Sequence, residues 1–277
     1  MDADSSLAPF ALEVERPDDA IDLARAALVL ARVEYPDLDP ATHLGRLDAV
    51  AADAPDACRS GEDATRLQRL CRYLFEELGF AGNREDYYDP RNSLLNDVLE
   101  RRLGIPITLS LVLIEVGRRV GLPIEGVGLP GHFIARLRSG GEHLMVDPFD
   151  AGAPLSAEAC AALVARAVGQ PVPLADAAFA AVSKRAFLAR MLTNLKGIYW
   201  RRKDWARAAA VADRLLVLDP GAAGERRDRG LARAQQGDLR RGVADWERYL
   251  AEQPAAPDAE QVRRQVRRVR LKLAELN

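Results

Sequence analysis

Cysteine, histidine and long apolar runs are all scarce in this 277-residue chain, and each scarcity removes a class of protein. Cys58, Cys71 and Cys160 stand far apart with no C-x-x-C pair, which argues against a disulfide framework and fits reduced thiols in a cytosol. The longest apolar candidate, ITLSLVLIEVG, is about half of the roughly 20 residues that a membrane helix needs, so no membrane span is expected. The stretch MDADSSLAPF is acidic and has no basic segment followed by an apolar one, so a secretory signal is not expected there either. Aromatics make up 6% and do not interleave with arginine as they do in a single-strand binder.

What remains is an ordinary globular composition, 48% hydrophobic and 29% charged, long enough for a sizeable core and for two domains. The net charge of −2 conceals an asymmetry. Residues 184–277 hold 22 Lys/Arg against 12 Asp/Glu, and residues 1–183 hold 17 against 29. Either the two parts meet each other or carry separate solvated faces, or the basic part meets an acidic partner. No helix-turn-helix or zinc-finger pattern accompanies the basic part, so nucleic acid is not the expected partner.

The first hundred residues read as helices. DDAIDLARAALVLARVEY is amphipathic and ends before Pro36, and ATHLGRLDAVAADA follows. DATRLQRLCRYLFEELGF places Leu67, Leu70, Cys71, Leu74 and Leu78 on one stripe, with Gly79 just past its end. Asp89-Pro90 punctuates a polar turn region, and SLLNDVLERRLG is a short helix that Ser93 is placed to cap. GIPITLSLVLIEVGRRVGLP then reads as a buried helix. Pro106 suits its first turn, Gly121 and Pro123 its end, and Glu115 with Arg118 and Arg119 its wet edge.

After that helix the period changes to two. HFIARL and HLMVDPF are strand-like runs joined by the turn SGGE. With Gly140 and Gly141 at the turn centre, opposed residues sum to 281. His132 then faces position 149, with Asp147 diagonal to it on the same sheet face. A one-residue slip would separate the pair. The C-terminal third is helical and repeats at 34 residues: Asp204 and Asp238, Leu216 and Leu250, Pro220 and Pro254. Tyr199, Ala208 and Pro220, then Gly230 and Pro254, sit at tetratricopeptide positions, while Arg233 replaces the expected Tyr and Gly242 the expected Ala. AEQVRRQVRRVRLKLAEL reads as a capping helix, with Val262, Val266, Val269 and Leu273 on one face and arginines on the other.

The blocks N-S-L-L-N, R-L-G-I-P-I-T-L-S, G-L-P-G-H-F and V-D-P-F together resemble the SirB-type bacterial family, over nearly the whole chain. That resemblance implies an α+β fold: a helix-rich transglutaminase-like domain of the papain-like superfamily over residues 1–180, then an all-α tetratricopeptide-repeat domain over 184–277. It also implies the remains of a Cys-His-Asp triad. A helix N-terminus acidifies the thiol, the histidine takes its proton, and the aspartate fixes the histidine's tautomer. His132 matches the histidine and Asp147 the aspartate, but the cysteine position falls on Pro106. Proline has no proton to give and no lone pair with which to attack.

Thr108 and Ser110 follow on the same helix as the hydroxyls nearest that position, with capping or back-bonding to the helix as their ordinary alternative. Asn92, Ser93 and Asn96, together with Gly104 and Pro106, are expected to line the cleft. His132, His143 and Asp147 are close in sequence but make no convincing metal set, and no cofactor is expected. The leading expectation is a non-catalytic protein-interaction or regulatory module of the cytoplasm. Its repeats, with Tyr199 and Arg233 on the binding surface, would hold a protein or peptide segment. The rival is an amide-bond hydrolase or acyl transferase in which a hydroxyl or water attacks. A third reading, nucleic-acid binding through the basic tail, predicts strongly salt-dependent binding.

Overall fold

The computed structural model describes residues 7–139 and 142–275, so the turn expected at Gly140–Gly141 lies outside the described residues. In chain order the helices are α1 (Ala8–Val14), α2 (Leu23–Leu30), α3 (Pro40–Ala52), α4 (Asp63–Cys71), α5 (Leu95–Arg101), α6 (Pro106–Arg119), α7 (Ala157–Val168), α8 (Lys184–Arg202), α9 (Trp205–Leu218), α10 (Ala223–Gln235), α11 (Leu239–Glu252) and α12 (Ala259–Glu275). The strands are β1 (Ala81–Gly82), β2 (Leu103–Gly104), β3 (Ile124–Leu129), β4 (His132–Ser139), β5 (Glu142–Asp147) and β6 (Ala153–Leu155).

These elements form two compact units. One comprises Pro17–Ala31 and Asp37–Met191; the other takes the described residues through Arg16, Arg32–Pro36, and the chain from Leu192 onward. A single cut at 180–184 misses this interleaving. The reason is visible at Glu34, whose carboxylate accepts from the Tyr199 hydroxyl at 2.9 Å and pairs with Arg207 at 2.6 Å. A buried tyrosine hydroxyl needs an acceptor, and an early piece of chain supplies it.

In the first unit α2 is shorter and more deeply buried than its amphipathic pattern suggests. Asp22 caps it by accepting from the Arg25 N–H at 3.0 Å, and all its residues except Arg25 are buried. The α4 stripe forms as read, with Leu67, Leu70, Cys71 and Leu74 buried, but it continues into a π-helical turn over Arg72–Glu77 before Gly79 ends it at φ +76°. Ser93 does not cap α5. It closes the 3-10 turn Pro90–Ser93, which Asp89 caps instead by accepting from the Arg91 N–H at 3.0 Å.

Helix α6 opens at Pro106, as read, and is buried from there to Leu113. It packs against α3, α4 and α5 as well as against β3 and β4. Each of its fully buried Leu and Val side chains contributes about 1.5–3 kcal/mol of apolar burial. The expected wet edge is only partly wet. Glu115 is buried and accepts from Arg118 at 3.0 Å and from Arg119 at 2.7 Å, because two guanidinium groups compensate a carboxylate held out of water.

Strands β3, β4, β5 and β6 form an antiparallel sheet in that order. The β4–β5 register pairs Ala135 with Val146 and Leu137 with Leu144, which is the register whose opposed residues sum to 281. Helix α7 brings Cys160 and Val164 against Val127, Leu129 and Ile134, so this sheet is covered as well as floored.

In the second unit the 34-residue period is structural. Asp204 and Asp238 are the N-caps of α9 and α11, accepting from the N–H of Arg207 at 3.1 Å and of Arg241 at 3.3 Å. Gly230 and Gly242 bring α10 and α11 together: a Cβ on Gly242 would lie 2.9 Å from the Gly230 carbonyl oxygen. The Ala-to-Gly departure in the second repeat thus allows a closer backbone approach. Tyr199 and Arg233 are not the binding surface expected of them. Tyr199 is 2% exposed and tied to Glu34. Arg233 joins Arg229 in bridging Asp213 and Asp245, at 3.0 and 2.9 Å from Arg233, so it neutralises one half-buried and one buried carboxylate inside the repeat.

Candidate active site

The hairpin geometry delivers His132 and Asp147 to each other. His132 opens β4 directly after Gly131, whose φ of +72° favours glycine and whose missing Cβ would sit 2.6 Å from Cβ of Ala167 on α7. Asp147 ends β5. Its Oδ2 lies 2.9 Å from Nε2 of His132, and its Oδ1 accepts from the Phe149 N–H at 2.9 Å. Both carboxylate oxygens are therefore engaged. With Asp147 ionised, Nε2 carries the imidazole proton and Nδ1 presents its lone pair. Nδ1 has no hydrogen-bond partner among the described residues.

Beside the pair lies a cavity of about 330 Å³, lined also by Arg84, Phe149, Asp150 and Arg166. The Phe149 ring stands edge-on to the imidazole at 6.3 Å between centroids. The ring also packs on the backbone of Gly82, where a Cβ would meet it at 2.5 Å. Arg84 lies 4.8 Å over the same ring and pairs with Asp150 at 2.9 Å. Sequence reasoning assigned no role to Arg84, Phe149 or Arg166. Phe149 had a signal, since it completes the V-D-P-F block; the two arginines had none.

The cleft residues expected from the preceding helices lie elsewhere. Asn92, Ser93, Asn96, Gly104 and Pro106 are all buried, and none lines the cavity beside His132. Asn92 organises a loop: its Nδ2 donates to the Asp86 carbonyl at 2.7 Å, and its Oδ1 accepts from Asn83 at 3.1 Å. Gly104 makes room for Thr108, whose Oγ1 would be 2.9 Å from a Cβ there. Thr108 accepts from the Ile105 N–H at 3.1 Å and donates to the Asn92 carbonyl at 2.6 Å. It closes the first turn of α6 and ties the loop to it. Ser110 is fully buried, and its hydroxyl has no partner among the described residues.

The thiols are equally withdrawn. Burial, with a smaller contribution from Cys58, pushes the Cys71 thiol up to about 12. Burial also raises Cys58 and Cys160, and for Cys160 the Asp147 charge adds to it. A thiol shifted this way is a poor nucleophile at neutral pH. The described residues contain no group of three or more His, Cys, Asp or Glu that could hold a metal ion, and the His143 side chain lies outside them. No described helix is long and apolar enough to cross a membrane.

A buried helix leading into a meander sheet, with a His–Asp pair across one hairpin and 34-residue helix pairs after it, defines a transglutaminase-like domain followed by tetratricopeptide repeats. Family comparison agrees: residues 41–193 match the transglutaminase-like superfamily and residues 195–267 the tetratricopeptide repeat. The chain belongs to the transglutaminase-like superfamily and, within it, to the UPF0162 proteins. It is 42% identical to the UPF0162 protein of Xylella fastidiosa (strain 9a5c) over 255 residues, covering 89% of each chain. It is also 36% identical to F-box only protein 21 of Mus musculus over 137 residues, 47% of this chain and 21% of that one. Among solved structures, the crystal structure of menin matches at a TM-score of 0.43 and 12% identity, covering 88% of this chain and 68% of that chain.

Proposed function

We propose that this is a SirB-type, non-catalytic transglutaminase-like protein that works as an interaction or regulatory module through its helical repeats. One observation carries the reading: Pro106 opens α6 where the superfamily resemblance puts the nucleophile, while the nearest hydroxyl, Thr108, is committed to the Ile105 N–H and the Asn92 carbonyl. In this reading the His132–Asp147 hydrogen bond is retained to hold β4 and β5 together where they meet Phe149. The tetratricopeptide match supports a polypeptide partner, since such repeats stack helix pairs into an extended binding surface. Three free, buried cysteines are consistent with a reducing, cytoplasmic setting.

The geometry also favours a second reading, amide hydrolysis or acyl transfer with water as the attacker. Nδ1 is the unpartnered ring nitrogen, and His132 lines a cavity. There it would take a proton from water, and Asp147 would stabilise the imidazolium. Wild type and His132→Ala, assayed on a panel of amide, ester and amine-transfer substrates with a thermal melt on each, separate the two. The first reading expects no turnover from either protein and a lower melt for the variant. Turnover that vanishes in a variant with an unchanged melt would establish the second.

A further inference from the structure

The arginines of α12 sort into two sets. Arg263 and Arg267 pair with Glu260, and Arg270 pairs with Glu247. Arg264, Arg268 and Lys272 recur every four residues, so they share one side of the helix. None of those three has a hydrogen bond or ion pair among the described residues, and all three are exposed. Arg268 and Lys272 line a cavity of about 320 Å³ whose apolar wall is Leu231, Leu239, Trp246 and Val269, with no Asp or Glu in its lining. A neighbouring cavity of about 290 Å³ shares Leu231 and Gln265 with it and is lined also by Trp200. In that second cavity the Arg227 charge is already answered by Asp228 and Asp258. Of the two cavities, the groove lined by Arg268 and Lys272 is therefore where uncompensated positive charge stands beside an apolar wall.

We propose that this groove docks an acidic segment of a partner polypeptide, with an aliphatic side chain seated against Leu231 and Leu239 and carboxylates on Arg268 and Lys272. This rests on the repeats being a polypeptide-binding module and adds the chemistry of the partner. A carboxylate arriving there displaces water rather than a resident acid, which favours acidic over neutral or basic segments. The cavity beside Arg268 and Lys272 offers no bare aromatic face on which a nucleic-acid base would stack: its aromatic, Trp246, is 2% exposed with its indole N–H donating to the Arg227 carbonyl, and the half-buried Trp200 lines the neighbouring cavity instead.

The test is fluorescence anisotropy on the full chain with fluorescein-labelled 12-residue peptides. One carries Asp and Glu around a central Leu-Leu pair; a second has Lys in place of the acids; a third keeps the acids but has Ser for Leu. A 20-residue oligo-dT is the nucleic-acid probe. The acidic leucine peptide is expected to bind. Arg268→Glu/Lys272→Glu, which alters only exposed side chains and is checked by its melt, should weaken it at least tenfold, as should 0.5 M salt. The lysine peptide should gain affinity for the reversed variant, and serine for leucine should weaken binding. Acidic-peptide binding that ignores the reversal, or tighter binding of oligo-dT, overturns the proposal. Lysine-peptide binding to wild type that survives the reversal overturns it while leaving the repeats as a peptide-binding module. Failure of every peptide removes both.

Discussion

At the scale of single residues, the chemistry of this protein is one of engaged or sealed groups. Removing the imidazole in His132→Ala leaves buried Asp147 with the Phe149 N–H but without its second partner. A buried acceptor deprived of one partner costs about 1–3 kcal/mol, so denaturant unfolding should show a loss in that range. Asp147→Asn, whose Oδ1 still accepts from the Phe149 N–H and whose Nδ2 can donate to Nε2 of the other imidazole tautomer, should lose less. Cys71 gives a pH prediction with a definite sign. Burial pushes its thiol from the ordinary value of 9.0 up to about 12 in the fold. Below pH 9 both states keep the proton and stability does not depend on this group. Between pH 9 and 12 the unfolded chain releases it and the folded chain does not, so stability should fall by about 1.4 kcal/mol per pH unit from this group. Burial of the side chain, at 4% exposed, also means that a thiol reagent at pH 8 should modify Cys71 only as fast as the protein unfolds. Rapid labelling of native protein would contradict the burial described here.

At the scale of elements, two close approaches invite measurement. Thr108→Ala removes both the acceptor for the Ile105 N–H and the link to Asn92, and a lost N-terminal capping contact costs about 0.5–2 kcal/mol. Thr108→Ser, which keeps the hydroxyl, should recover most of it. A hydroxyl that acted as a nucleophile would instead separate activity from stability. Gly242→Ala puts a Cβ against the Gly230 carbonyl, and overpacking of this kind costs about 1–3 kcal/mol, read as a lower melting temperature. Both α6 and the β4–β5 register were legible in the sequence, because proline, glycine and a strict period of two speak through local geometry. The fates of Glu115, Asn92 and Ser93 were not. Each is polar by composition. Groups close in sequence compensate two of them, two arginines for Glu115 and the Asp86 and Asn83 groups for Asn92, but the burial of all three comes from the packing of other elements, which local pattern does not carry.

At the scale of the whole molecule, periodicity revealed the repeats, and Asp204 and Asp238 turned out to be their caps. What it could not reveal was that the repeat unit recruits Arg32–Pro36 and the described residues through Arg16, since a carboxylate at Glu34 looks like any other surface acid. A fragment of residues 184–277 alone would lack Glu34 and leave the Tyr199 hydroxyl without its acceptor. Its near-ultraviolet circular dichroism, reported by Trp200, Trp205 and Trp246, should be weaker and its melt lower and broader than in the full chain. Equal spectra would show that the early segments add nothing.

That recruitment also sets a timetable. Glu34 leaves the ribosome more than 150 residues before the Tyr199 and Arg207 that it will hold. At about 5–20 residues per second the early pieces wait on the order of 10–30 s for the unit they complete. The intervening unit can fold in that interval, whereas the repeat unit can close only after the chain from Leu192 onward has been made. A ribosome stalled before residue 192 would therefore carry Arg32–Pro36 with no repeat helices to join.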